Sequence, residues 1–144
     1  MAFQKITLTI PGALEHIGAL GTSVRALASA MGVDDGQAFQ IELAAVEATT
    51  NAIRHALPNE PDPWVALDVE IEPDRMILTL RNPGAEMDPA YLEKAEAPSM
   101  EVADDLASFP EGGMGLALIK EVMNDVAYSR KDEINHFCMV FTTK

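Results

Sequence analysis

At 144 residues, 48% of them hydrophobic, the chain has the length of a single domain, residues 1–144, and apolar material for one core burying roughly 70% of the surface its unfolded form would expose. Ten Lys and Arg against 23 Asp and Glu give a formal charge of −13, which repels a nucleic-acid backbone or an anionic membrane and argues against direct binding to either. The lone Cys138 excludes an intrachain disulfide and a cysteine-rich metal site, and no stretch approaches the roughly 20 apolar residues of a membrane span, so a cytoplasmic, unexported protein is expected.

Residues Phe3 to Ile10 alternate, with Ile6, Leu8 and Ile10 apolar between Lys5, Thr7 and Thr9, which predicts a half-buried strand stopped by Pro11 and Gly12. From Leu14 to Met31 the apolar residues Ile17, Leu20, Val24, Leu27 and Met31 recur at spacings of three and four, the mark of an amphipathic helix that Gly32 ends. A second helix is predicted from Asp34 or Asp35, either able to cap it, to Leu57, since Pro58 cannot continue it. Its apolar stripe reads Phe39, Leu43, Val46, Thr50, Ile53, Leu57. Beyond a proline-rich turn, Trp64 to Ile71 and Arg75 to Leu80 read as a hairpin about Pro73 and Asp74. From Glu86 to Glu111 the chain is polar and acidic for about twenty-five residues, too long for an idle connection in a compact domain. Leu116 to Val126 returns to helix spacing, and Val126 to Ser129 with Phe137 to Thr143 closes the chain as a last hairpin. This order predicts an α+β two-layer sandwich, with helices on one face of a mixed, mostly antiparallel sheet.

Three places hold chemistry. At about 100° per residue, Glu47 stands about 80° and Asn51 about 120° from the centre of the second helix's stripe, neighbours on one flank. If that flank faces a cleft, Glu47 can act as a general base and the Asn51 amide oxygen is a hard ligand suited to Mg²⁺; if it faces water, both are ordinary surface. Gly112-Gly113-Met114-Gly115-Leu116 leads straight into a helix, so its backbone can hold a phosphate at the helix start or serve as a hinge. Arg81-Asn82-Pro83-Gly84, then Met87-Asp88-Pro89, is turn chemistry at a strand end.

Taken together and in order, Glu47-Ala48-Thr49-Thr50-Asn51-Ala52-Ile53-Arg54-His55-Ala56, Asn82-Pro83-Gly84-Ala85-Glu86-Met87-Asp88-Pro89 and Gly113-Met114-Gly115-Leu116-Ala117-Leu118-Ile119 resemble the three nucleotide-binding boxes of the GHKL (Bergerat-fold) ATPases. Within them the chain is most similar to the anti-sigma factor serine kinases of bacterial partner-switching systems, from the helix around Arg25 to the last strand. The resemblance implies that Glu47 is the general base toward a serine or threonine of a partner and that Asn51 binds the Mg²⁺ bridging the phosphates of ATP. It also implies that Asn82 and Gly84 hold the adenine end, and that Gly113, Met114, Gly115 and Leu116 form the phosphate loop and helix start. His55 matches a frequent family residue and is read as structural. The implied partners are a sigma factor and an anti-sigma antagonist, and a homodimer is among the expectations.

Three departures accompany the match. Asn82 stands where the family usually has an adenine-binding aspartate, replacing a charge-assisted hydrogen bond, roughly twice as strong, by a neutral one. Residues 86–111 hold eight acids (Glu86, Asp88, Glu93, Glu96, Glu101, Asp104, Asp105, Glu111) against Lys94, a net of −7 near a triphosphate that suits a basic partner surface better. The last strand reads Asn135-His136-Phe137-Cys138-Met139, without the Gly-Thr of many relatives. Two functions follow: a protein serine/threonine kinase acting on an antagonist, or a module that sequesters a sigma factor or antagonist and binds nucleotide weakly.

Overall fold

The structure, a computed structural model, describes residues 4–94 and 113–143. Glu96, Glu101, Asp104, Asp105, Glu111 and Gly112, which the sequence assigns to the acidic stretch and the phosphate loop, lie outside the described residues. In chain order the elements are β1 (Gln4–Pro11), a 3₁₀ turn (Leu14–His16), α1 (Ile17–Met31), α2 (Asp35–Asn51), a π-helical turn (Ala52–Ala56), β2 (Trp64–Ile71), β3 (Arg75–Asn82), the short α3 (Pro89–Lys94), α4 (Gly113–Val122), β4 (Asp125–Lys131) and β5 (Ile134–Thr142).

The strands form one sheet in the order β1-β2-β3-β5-β4, and every pairing among the described residues is antiparallel. The expected two layers are present, and the sheet is simpler than the mixed one expected. Register aligns Leu8, Leu67, Leu80, Phe137 and Tyr128 in a row across all five strands on the face that meets the helices. Val65, Leu67, Val69, Met76, Leu78 and Met139 lie on that face and join Leu20, Val24, Ile41, Ala45 and Ile119 of the helices in one apolar cluster. Among the described residues, no helix is long and apolar enough to cross a membrane.

Caps fall where the sequence puts them. Gly32 ends α1 at φ 98°, a left-handed backbone that favours glycine. Asp34 rather than Asp35 caps α2: its carboxylate accepts from the Gln37 N–H while the Gln37 side chain accepts from the Asp34 N–H, a reciprocal capping box.

The face of α2 differs from the expectation. Its buried residues are Ala38, Ile41, Ala44, Ala45, Ala48 and Thr49, whereas of the predicted stripe Leu57 is buried, Leu43, Val46, Thr50 and Ile53 are half-buried and Phe39 is 50% exposed. The reason is that α2 has neighbours on three sides: the sheet beneath, α1 on one flank and α4 on the other. Alanines let it settle close to the sheet, while Val46 turns toward α1, where a Cβ on Gly21 would stand only 2.8 Å from its Cγ2. Phe39 instead lies under the Arg25 guanidinium, 5.6 Å from ring centre to Cζ.

Other boundaries also move. The helix predicted over Leu116 to Val126 spans Gly113–Val122, so two of the loop glycines are helical and Val126 belongs to β4. The last hairpin is longer than predicted, because its two-residue turn, Asp132 and Glu133 at φ 53° and 66°, adopts the double positive φ that matches the twist of the strands. The second helix reaches its expected end only through the π-helical turn, closed by the Leu57 N–H on the Ala52 carbonyl at 3.2 Å.

Candidate nucleotide-binding site

The flank of α2 that carries Glu47 and Asn51 faces α4. A Cβ built on Gly115, in the first turn of α4, would lie 2.8 Å from Glu47 Oε2, 3.4 Å from Asn51 Nδ2 and 3.6 Å from Asn51 Oδ1. The helix start can approach the two side chains this closely because position 115 has no side chain. Three sequence-predicted residues from two distant boxes therefore meet in space. Gly113 and Met114 open the same helix, so its unpaired N–H groups and positive dipole end lie beside the carboxylate and the amide.

Asn51 Nδ2 is buried and has no hydrogen-bond partner among the described residues. An amide left dry and unpaired costs about 1 to 3 kcal/mol. Because amide N and O exchange places on a half-turn, the finding is an unsatisfied amide edge at this point, and it can equally present its oxygen to a cation. Nearby hydroxyls are not its partners: Thr49 donates to the Ala45 carbonyl at 2.8 Å and Thr50 to the Val46 carbonyl at 2.7 Å, each back-bonded within α2. Leu116, predicted with the phosphate loop, sends its side chain into the core cluster, so only its backbone belongs to the site.

The second half of the site is the turn after β3. Asn82 is 3% exposed, and its Nδ2 donates to the neighbouring Pro83 carbonyl at 2.7 Å. Gly84 has φ +104°, and a Cβ there would run into the carbonyl of Ala56 at the end of the π-helical turn. That carbonyl, one of the orphan acceptors of a helix C-terminus, accepts the Ala85 N–H at 2.9 Å. The π-helical turn thus ties the helix bearing Glu47 and Asn51 directly to the turn bearing Asn82 and Gly84. Asp88, counted with the acidic stretch, acts locally, its Oδ1 accepting the Ala90 N–H at 2.9 Å at the start of α3. His55 is exposed and, with Gly84, lines a cavity of about 460 Å³ at the outer edge of this turn.

Sequence reading missed a third group. On the helix-facing side, the apolar row of the sheet is followed at its end by Asn82, Asn135 and Arg130, paired in register. Asn135 accepts from Tyr128 Oη at 2.6 Å and from Arg130 Nη1 at 2.8 Å, and it donates to the Ala85 carbonyl at 2.8 Å. The signal that could have found it is a buried asparagine within an alternating strand.

A family model described as the histidine kinase-like ATPase domain matches residues 10–141. The chain is 30% identical over 123 residues to the serine-protein kinase RsbW of Listeria innocua, covering 85% of this chain and 78% of that one. It is 26% identical over 124 residues to the serine-protein kinase RsbW of Bacillus cereus, covering 86% and 76%. Among solved structures it superposes on a chain of the SiaB-SiaC complex from Pseudomonas aeruginosa with a TM-score of 0.60 at 17% identity, covering 94% of this chain and 88% of that one. It also superposes on the histidine kinase domain of a blue-light activated histidine kinase of Erythrobacter litoralis, with a TM-score of 0.55 at 14% identity, over 93% of this chain and 62% of that one. At such identities these two likenesses concern the fold alone.

Proposed function

Since the chain belongs to the histidine kinase-like ATPase domain family, among the anti-sigma factor serine kinases, we propose that it binds ATP with Mg²⁺ between α2 and α4 and phosphorylates an anti-sigma antagonist on serine or threonine. The antagonist's release from, or capture by, this protein then governs a sigma factor. The observation that carries the reading is the meeting of Glu47, Asn51 and Gly115, with an Asn51 amide edge that is unsatisfied among the described residues and could hold a cation.

Each residue has a role that follows from its chemistry. Glu47 Oε2 takes the proton of the partner's hydroxyl as that oxygen bonds to phosphorus and ADP leaves. Asn51 would hold Mg²⁺ through its amide oxygen, and the ion would supply positive charge toward the phosphate oxygens. The first turn of α4 offers N–H groups to the phosphates, and Gly115 keeps the approach open. With Nδ2 occupied on Pro83, Asn82 keeps Oδ1 as the acceptor for the adenine amino group.

A second reading keeps the fold as a binding module, and the neutral Asn82, already engaged with its own neighbour, favours it. One experiment separates the two. Purified protein is melted with millimolar Mg-ATP or Mg-ADP and then assayed for phosphate transfer to a cognate antagonist. Ligand at 100 times its dissociation constant stabilises by about 2.7 kcal/mol, a rise of several degrees for a chain of this size. No rise removes the kinase reading. A rise with no transfer to the antagonist establishes the binding module, and transfer that falls about 10²- to 10⁴-fold in Glu47→Gln establishes the kinase with Glu47 as base.

A further inference from the structure

The turn that carries Asn82 and Gly84 is packed at its two ends, where Asn82 and Pro83 are buried and Met87 meets the core, and is held between them by hydrogen bonds. Pro83, Gly84 and Ala85 line the 460 Å³ cavity, and toward it Gly84 is half-buried and Ala85 exposed. The turn's main-chain groups are captured one after another. The Gly84 carbonyl accepts from Arg130 Nη1 at 2.9 Å, the Ala85 carbonyl accepts from Asn135 Nδ2 at 2.8 Å, and the Met87 N–H donates to Tyr128 Oη at 3.0 Å. The Ala85 N–H goes the other way, to the Ala56 carbonyl at 2.9 Å.

The three side chains from the β4–β5 hairpin also bond to one another. Asn135 is the hub: both acceptor positions of Oδ1 are filled, by Tyr128 and by Arg130, and its amide reaches the turn. Being only 5% exposed, Asn135 cannot exchange these bonds for water without opening the strand end. Arg130 and Tyr128 sit two residues apart on β4, so both point to the helix-facing side where the turn lies.

We propose that Asn135, Tyr128 and Arg130 are positioning residues that fix the turn 82–87 before ligand arrives, so that Asn82 and the Gly84 backbone meet a purine base in one geometry. The proposal rests on the nucleotide reading above. In a last strand that lacks the Gly-Thr of many relatives, Asn135 supplies from β5 the grip that fixes the turn. Since the trio acts on the base end and, among the described residues, makes no hydrogen bond to the phosphate end, its loss should weaken ATP and ADP alike and blur the choice between adenine and guanine.

The test uses the full chain, with Asn135→Ala and Tyr128→Phe, the latter losing one hydroxyl and keeping the ring. Calorimetric titrations with Mg-ATP, Mg-ADP and Mg-GDP give affinity and base preference; amide hydrogen exchange of ligand-free protein gives the mobility of the turn. In Asn135→Ala the affinity for both adenine nucleotides falls by about tenfold, in Tyr128→Phe by about two- to fivefold, and the ADP-over-GDP preference narrows in both. The Met87 and Ala85 amides exchange faster, while those of α2 around Ala45 do not. If Asn135→Ala fails to fold, Tyr128→Phe decides alone. Wild-type protein that binds no nucleotide overturns the site reading and this proposal with it. Wild-type binding matched in affinity and base preference by a folded variant overturns the positioning role alone.

Discussion

Glu47 Oε2 lies 2.8 Å from the point where a Cβ on Gly115 would stand, so the first turn of α4 and the carboxylate of α2 share a space that one methyl group would fill. The obstructing atom is the end of a flexible side chain, so Gly115→Ala should cost little in folding, and alanine's helix propensity, better by about 1 kcal/mol, offsets part of that cost. The Glu47 carboxylate and the Asn51 amide must nevertheless move. The expected result is a ligand-free melting point within a few degrees of wild type, with the Mg-ATP-induced rise cut to half or less. Melting curves with and without nucleotide check it, and an undiminished rise would show that the two side chains do not face the ligand.

Asn51→Ala removes an amide whose buried Nδ2 has no partner among the described residues. Its loss should therefore leave ligand-free stability unchanged or raise it by about 1 kcal/mol, unlike the loss of a bonded polar group. Nucleotide binding in the presence of Mg²⁺ should weaken, while binding in EDTA should match wild type. A variant that loses both equally would argue for a general collapse of the site instead of a lost metal ligand.

The sequence carried these residues unevenly, and the physical reason differs at each. That Glu47, Asn51 and Gly115 meet in space was legible because three short motifs in a fixed order constrain one another's placement. The strands β2 and β3 were legible because period two and Pro73-Asp74 punctuate them. The buried face of α2 was not, since periodicity finds the stripe of large residues, whereas a helix clasped on three sides puts Ala44, Ala45 and Ala48 inward and leaves Phe39 half in water. Tyr128, Arg130 and Asn135 were not legible either, because their bonds to Met87, Gly84 and Ala85 span 41, 46 and 50 residues.

Asn82→Asp has two effects of opposite sign. The Nδ2 bond to the Pro83 carbonyl is lost and a carboxylate is set beside that oxygen, which should lower ligand-free stability by about 1 kcal/mol or more. The adenine amino group gains a charged acceptor, so the Mg-ATP-induced rise in melting point should grow. A lower starting point with a larger rise is the expected pair of readings in thermal melts. A lower starting point with a smaller rise would mean that position 82 does not meet the base.

On the face of the sheet away from the helices, Asp68 is joined to Arg81 through Nε–Oδ2 at 2.7 Å and Nη2–Oδ1 at 3.0 Å, and it accepts the Thr7 hydroxyl at 2.7 Å. Burial pushes the Asp68 carboxyl upward, but the Arg81 and Thr7 hydrogen bonds, with the charges of Arg81 and Lys5, outweigh it and hold the group below its ordinary 3.8. The hydrogen bond to Asp68 raises the Arg81 guanidinium further from any accessible pH, so only Asp68 titrates. A carboxyl whose pKa is lower folded than unfolded binds fewer protons when folded; its stabilisation is complete above the unfolded value and is lost as pH falls through the folded one. The pair therefore contributes a constant amount from about pH 5 upward and fades only below about pH 4. Asp68→Asn keeps the shape, removes the charge and should cost about 1 to 3 kcal/mol at pH 7. Urea titrations of both proteins from pH 7 down to the lowest pH at which both fold should show the difference shrinking only in the acid range. Because the pair lies across the sheet from the site, the Mg-ATP-induced rise should be the same in both. A gap that stays constant into the acid range would mean that the cost of Asp68→Asn comes from packing and not from the ion pair.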